Sequence, residues 1–132
     1  MLSKKFVSAS LEYADWEREA PAPYMRRSFE LTKIPDSASI TVCALGFYRL
    51  FVNGREITRT HLAPYVTNPN EMLVYDGYDL REHLNAGKNT VAFILGNGLQ
   101  NNFGGFIWLF NEAPFRSAPK LAFSIGRREG TA

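Results

Sequence analysis

Phe47-Tyr48-Arg49-Leu50-Phe51-Val52-Asn53-Gly54-Arg55-Glu56-Ile57-Thr58 carries a β-hairpin in its residue order. Aromatic and β-branched side chains run from Phe47 to Val52, the composition that suits a pleated, half-buried surface. Asn53-Gly54 then supplies the pair of residues that tolerate positive φ, as a type I′ turn requires, and Arg55 to Thr58 offers the returning arm. A hairpin cannot bury its apolar face alone, so the flanking sequence has to supply further strands.

Upstream, Ala38 to Leu45 alternates, with Ile40, Val42 and Ala44 on one face and Ser39, Thr41 and Cys43 on the other. Pro35-Asp36 marks a turn before it, and Tyr24 to Leu31 sets Met25, Phe29 and Leu31 against Arg26, Ser28 and Glu30 as a strand with one wet face would. Residues 1–20 show no clear period and end at Pro21 and Pro23, which predicts an irregular N-terminal arm ahead of a domain over residues 21–132.

Downstream, Pro64, Asn68, Pro69 and Asn70 make residues 59–70 a surface loop. Met72 to Tyr78 is expected to be a strand. Asp79 is expected to cap a short helical turn near residues 80–84, with Glu82 completing a capping box and Leu80 and Leu84 facing the core together. After the turn Asn85 to Asn89, Thr90 to Leu95 is apolar on both faces and should be a central strand. Residues 96–105 are rich in glycine and amides and read as a loop, Ile107 to Phe110 as a strand, and Leu121 to Ile125 as the last strand before a turn over Gly126 to Gly130. Short strands joined by such corners predict an all-β fold, an antiparallel jelly-roll-like sandwich.

The bulk numbers agree with one ordinary globular domain: 132 residues, 45% apolar and 21% charged. Fifteen basic residues against 13 acidic ones, scattered in ones and twos, leave no footprint for nucleic acid. No apolar run approaches the length of a membrane span or of a signal-peptide core, and Cys43, the only cysteine, reads as a small core residue. A cytoplasmic protein without membrane partners is the expectation.

Four blocks stand in order: Gly46-Phe47-Tyr48 running to Val52-Asn53-Gly54; Leu62-Ala63-Pro64; Tyr78-Asp79-Leu80 with Leu84; and Gly87-Lys88-Asn89 running to Leu95-Gly96-Asn97-Gly98. Together they resemble the N-terminal domain of bacterial α-L-rhamnosidases of the glycoside hydrolase family 78 type, and Arg26-Arg27-Ser28-Phe29 sits where that family has an arginine-rich first strand. The family has an aromatic residue after Gly-Asn-Gly where this chain has Leu99-Gln100, and its domain continues for further strands, so the resemblance implies a fragment of a larger enzyme. Part of the signature is also similar to the sugar-binding jelly-roll domain of β-galactosidases and β-glucuronidases.

The resemblance implies a non-catalytic domain whose partner is a helical-barrel catalytic domain elsewhere in the parent glycosidase. Inverting hydrolysis needs two carboxyls about 6.5 to 9.5 Å apart. Here Asp76 and Asp79 are the closest pair, and capping and solvation are their commoner roles. His61 and His83 lack metal-ligand spacing, no acidic trio suits calcium, and the glycines from 96 to 105 do not form a phosphate cradle, so neither cofactor nor metal is expected. For a sugar such as a rhamnose-containing carbohydrate, the candidate ligands are the amides Asn97, Gln100, Asn101 and Asn102, with Phe103, Phe106 or Trp108 stacking on the ring. The competing role, which their chemistry favours, has these amides satisfying their own loop and the aromatics packed inside. The expected function is scaffolding of the catalytic domain, with an autonomous carbohydrate-binding module as the alternative.

Overall fold

A computed structural model describes residues 5–103 and 109–128. Among these residues seven strands form two antiparallel sheets: β1 Tyr24–Leu31, β2 Ser37–Leu45, β3 Phe47–Val52, β4 Arg55–Glu56, β5 Asp76–Asp79, β6 Gly87–Gly96 and β7 Lys120–Arg128. One sheet runs β1-β6-β3-β4 and the other β5-β2-β7, and they face each other as the expected sandwich. Among the described residues no helix is long and apolar enough to cross a membrane.

The hairpin lies where the sequence puts it. Asn53 and Gly54 have φ of 50° and 82°, and Phe51 pairs with Glu56 and Val52 with Arg55. The returning arm leaves the ladder after Glu56, with Ile57 N–H still donating to the Leu50 carbonyl at 2.8 Å. β6 is central between β1 and β3, in the register Val91 to Arg27 and Val52.

Period-two alternation places Val91, Phe93 and Leu95 of β6 and Tyr48, Leu50 and Val52 of β3 in the core, against Ile40, Val42 and Ala44 of β2 and Leu121 of β7. Phe93 stacks obliquely on Phe123 across the layers, with ring centres 5.2 Å apart. Each such buried side chain contributes about 1.5 to 3 kcal/mol of transfer free energy, so the interface between the layers dominates stability. Leu80 and Leu84 both reach this core from the short 3₁₀ turn Arg81–His83.

Polar side chains lock the turns. Asn89, fully buried, accepts from Asn85 N–H and from Asn53 Nδ2, both at 2.9 Å, and donates to the Asn85 and Gly87 carbonyls. Asn53 also accepts Thr90 N–H at 2.9 Å and donates to the His83 carbonyl at 2.8 Å. Two asparagines thus tie the type I′ hairpin to the start of the central strand, which gives the Asn-Gly and Gly-x-Asn blocks a shared physical purpose.

Several expected boundaries shift. The strand expected over Met72 to Tyr78 is reduced to Asp76–Asp79, because β5 is an edge strand that pairs only with Ser39 to Val42 of β2. Phe110 belongs to a 3₁₀ turn, Phe110–Glu112, entered through Leu109 at φ 49°; Ile107 and Trp108 of the strand expected there lie outside the described residues. No turn begins at Gly126: β7 continues to Arg128, paired with Ser37, because β2 is long enough to hold it. Asp79 caps as expected, accepting Arg81 N–H at 2.9 Å, but the N-cap position itself is Leu80, which has no acceptor, and Glu82 closes no capping box.

Candidate functional site

The glycine- and amide-rich segment after β6 sits where three parts of the chain cross. Gly46, at φ 95°, ends the β2–β3 corner so close to β6 that a Cβ there would overlap the Gly96 carbonyl oxygen. Gly98, at φ 51°, opens a 3₁₀ turn over Gly98–Asn101 and lies against the Phe47 ring, which a Cβ would approach to 3.2 Å. At Gly46 close approach and backbone angle both demand glycine, whereas at Gly98 the positive φ favours it and the ring contact is only tight.

Of the candidate sugar ligands, Asn97, Gln100 and Asn101 come together, and they point inward. Asn97 Nδ2 donates to the Ala20 carbonyl at 2.7 Å, and its Oδ1 accepts from Asn101 Nδ2 at 2.9 Å. Asn101 is fully buried; it also donates to the Glu12 carbonyl at 3.1 Å and accepts Ala14 N–H at 3.3 Å. Gln100, also buried, donates to the Phe115 carbonyl and to Ser117 Oγ at 2.9 Å. Asn102 is exposed, Phe103 stacks on Trp16 with ring centres 4.9 Å apart, and Phe106 and Trp108 lie outside the described residues.

The partners of these amides are largely residues 12–20, which periodicity did not single out. The N-terminal chain is clamped at further points: Val7 exchanges two backbone hydrogen bonds with Leu121, Ser8 Oγ donates to the Pro119 carbonyl, and the Arg116 guanidinium donates to the Ala14 carbonyl while lying 4.9 Å from the Tyr13 ring centre. Ala14 and Ala20 are buried. Their small size among charged neighbours was the one local hint. A ligand of Asn97 and Asn101 would have to displace this segment, because their donors are already engaged.

A second polar cluster bridges the sheets. Tyr48 of β3 donates its hydroxyl proton to Asp76 Oδ2 of β5 at 2.5 Å and accepts from the Tyr78 hydroxyl at 2.7 Å. Burial first, then the hydrogen bond to Asp76 and the contact with Tyr78, push the Tyr48 hydroxyl far above the ordinary tyrosine range; burial also raises Tyr78. A phenol held neutral beside a carboxylate is a strut between layers. Tyr78 packs at the edge of the core, whereas Tyr65 and Tyr75 are on the surface.

Asp76 and Asp79 do not form an acid-base couple. An odd separation on one strand sends them to opposite faces, and each is engaged locally, with Tyr48 and with Arg81 N–H. Cys43 is buried, and that burial, ahead of the charge of Asp76, raises its thiol pKa away from reactive values. Among the described residues no group of three or more His, Cys, Asp and Glu side chains converges to hold a metal. The exposed pair Arg49–Glu56, with guanidinium–carboxylate bonds of 2.8 and 2.5 Å, holds the Glu56 carboxyl down to about 2, chiefly through the hydrogen bond from Arg49.

The model of the α-L-rhamnosidase N-terminal domain family matches residues 33–126. An α-L-rhamnosidase of Formosa agariphila is 39% identical over 77 residues, 58% of this chain and 8% of the relative; one of Streptomyces avermitilis is 29% identical over 120 residues, 87% of this chain and 11% of the relative. Among solved structures, an α-L-rhamnosidase from Dictyoglumus thermophilum superposes with a TM-score of 0.74 at 25% identity, covering 94% of this chain and 14% of that one. The Streptomyces avermitilis α-L-rhamnosidase complexed with L-rhamnose gives 0.69 at 28% identity, covering 84% and 11%. An Aspergillus terreus α-L-rhamnosidase shares the fold, with a TM-score of 0.77 at 18% identity over 95% of this chain and 14% of that one. The chain thus spans about a tenth of the length of the relatives it matches.

Proposed function

This chain belongs to the α-L-rhamnosidase N-terminal domain family, and from that premise we propose that it is the scaffolding β-sandwich of an α-L-rhamnosidase, with hydrolysis carried out by another part of the same polypeptide. In this reading residues 21–132 are the sandwich domain and residues 1–20 an arm laid across it. The observation that carries it is the use of side chains. The amides of the 96–102 loop and the carboxylates of β5 are engaged in holding loops and sheets together, which is the work of a rigid support. The parent acts on α-L-rhamnosides, and its catalytic carboxyls lie outside this domain. Cys43, free and buried, suits a cytoplasmic protein.

The test is to assay a rhamnoside with the parent polypeptide, with the parent lacking this domain, and with the 132-residue chain. The expected result is activity in the first, a shorter half-life at elevated temperature in the second, and none in the third. Turnover by the 132-residue chain overturns the proposal. A secondary role in carbohydrate binding draws on the exposed Asn102 beside the Trp16–Phe103 stack, and titration with millimolar L-rhamnose, followed by chemical shifts of the loop amides, checks it; no shift at those amides refutes it.

A further inference from the structure

We propose that the loop between β4 and β5 is the surface by which this domain docks on the remainder of an α-L-rhamnosidase chain, which covers the loop's exposed side chains with apolar surface of its own. The proposal rests on the parent-enzyme reading above and adds to it the docking face.

Along this loop the chain holds its large apolar side chains out in water. Tyr65 is 86% exposed, Leu62 and Tyr75 68%, Met72 59% and Val66 55%. From Leu62 to Tyr75 the only charged residue is Glu71. Monomeric proteins seldom expose so concentrated an apolar run unless it is covered in the working assembly.

The loop is built rather than slack. Tyr48 N–H of β3 donates to the Ala63 carbonyl at 2.9 Å; Glu71 and Met72 N–H both donate to the Asn68 carbonyl at 3.0 Å; and Thr67 Oγ1 donates to the Met72 carbonyl at 2.8 Å. With these bonds fixing its course, the loop presents apolar side chains at reduced ordering cost, the condition for a preorganised interface. Pro64, Tyr65, Val66 and Leu73 line a small cleft together with Leu99 and Phe115. Leu99 follows Gly98 in the crossing loop, which ties the cleft to the 3₁₀ turn Gly98–Asn101.

The character of the face selects the occupant. A neutral, aliphatic and aromatic surface offers nothing to phosphates or to an acidic partner, and matches a stretch of apolar protein surface. In the relatives about nine-tenths of the polypeptide lies outside the matched domain, so such a surface is available at high local concentration within the same chain. The outer face of the first sheet is the weaker candidate, because Arg26, Arg49 and Glu56 interrupt it with charge.

Hydroxyl-radical footprinting tests the proposal, comparing the parent polypeptide with the 132-residue chain, after an immunoblot has sized the native product. Oxidation of Tyr65, Met72 and Tyr75 is expected to be at least fivefold slower in the parent. The double substitution Tyr65→Ser/Leu73→Ser in the parent should return Met72 and Tyr75 to the rate of the 132-residue chain; the same change in that chain, where both side chains are exposed, should leave its Tm unmoved. A longer native polypeptide with equal oxidation rates overturns the docking face alone. A native product of 14.9 kDa and nothing longer overturns the parent reading and this inference with it. Sedimentation of the 132-residue chain as a dimer that the double variant returns to monomer assigns the face to a second copy and also overturns it.

Discussion

Replacing Asn101 by alanine should release the N-terminal segment while leaving the sandwich folded. The buried amide makes three side-chain hydrogen bonds, to Ala14 N–H, the Glu12 carbonyl and Asn97 Oδ1, and two of these reach residues 12–14. At about 1 kcal/mol net for each, the attachment of that segment weakens by about 2 kcal/mol. Glu12 and Ala14 recover water when they detach, so the larger penalty for stranded buried groups does not apply to them. Native-state hydrogen exchange reads the effect locally: the Ala14 amide should exchange about thirtyfold faster, the equivalent of 2 kcal/mol in an opening equilibrium. Central amides such as those of Phe93 and Val42 should change only with global stability. Trp16 should become more solvent-exposed as its contact with Phe103 loosens. An unchanged Ala14 rate would refute the assignment of Asn101 as the socket for this segment, and equal acceleration everywhere would show that the segment and the sandwich open as one unit.

Tyr48→Phe removes the hydroxyl that Asp76 and Tyr78 share across the sheets and should cost about 2 kcal/mol in chemical denaturation, with the amides of β5 most affected; a loss below a few tenths would deny the strut. In the wild type the Tyr48 phenol should resist ionisation when absorbance is followed above pH 10, and because its pKa is raised on folding, that contribution is full below pH 10 and falls as pH climbs past it. Gly46→Ala should destabilise by at least about 3 kcal/mol or abolish folding, since it joins a positive φ to overlap with the Gly96 carbonyl; a Tm within a few degrees of wild type would contradict that crossing. Glu56 has a depressed pKa, so its contribution is present above its ordinary value of 4.5 and is lost as pH falls from there towards about 2. Glu56→Gln should therefore flatten the acid side of the Tm profile over that window, and identical slopes would show the Arg49–Glu56 pair to be inert.

Local chemistry determined much of this protein from the chain alone. Asn53-Gly54 forced a type I′ hairpin because few other pairs accept two positive φ angles, alternation set Ile40, Val42 and Ala44 on one face of their strand, the two-faced apolar run Thr90 to Leu95 marked the central strand, and Leu80 and Leu84 came out paired on the core. The series of blocks from Gly46 to Gly98 also carried the family resemblance, since those residues are dictated by turns and close crossings that the fold repeats. Tertiary structure decided what depends on neighbours distant in sequence. Strand length depends on pairing: β5 meets only Ser39 to Val42 of the longer β2, whereas β7 runs alongside β2 from Leu45 to Ser37 and so extends to Arg128. The amides of the 96–102 loop carry the same donors and acceptors whether they face a sugar or the carbonyl of Glu12, and only the three-dimensional course of residues 12–20 fixes the choice. The bond from Tyr48 to Asp76 spans 28 positions and two sheets, a distance that no local pattern encodes.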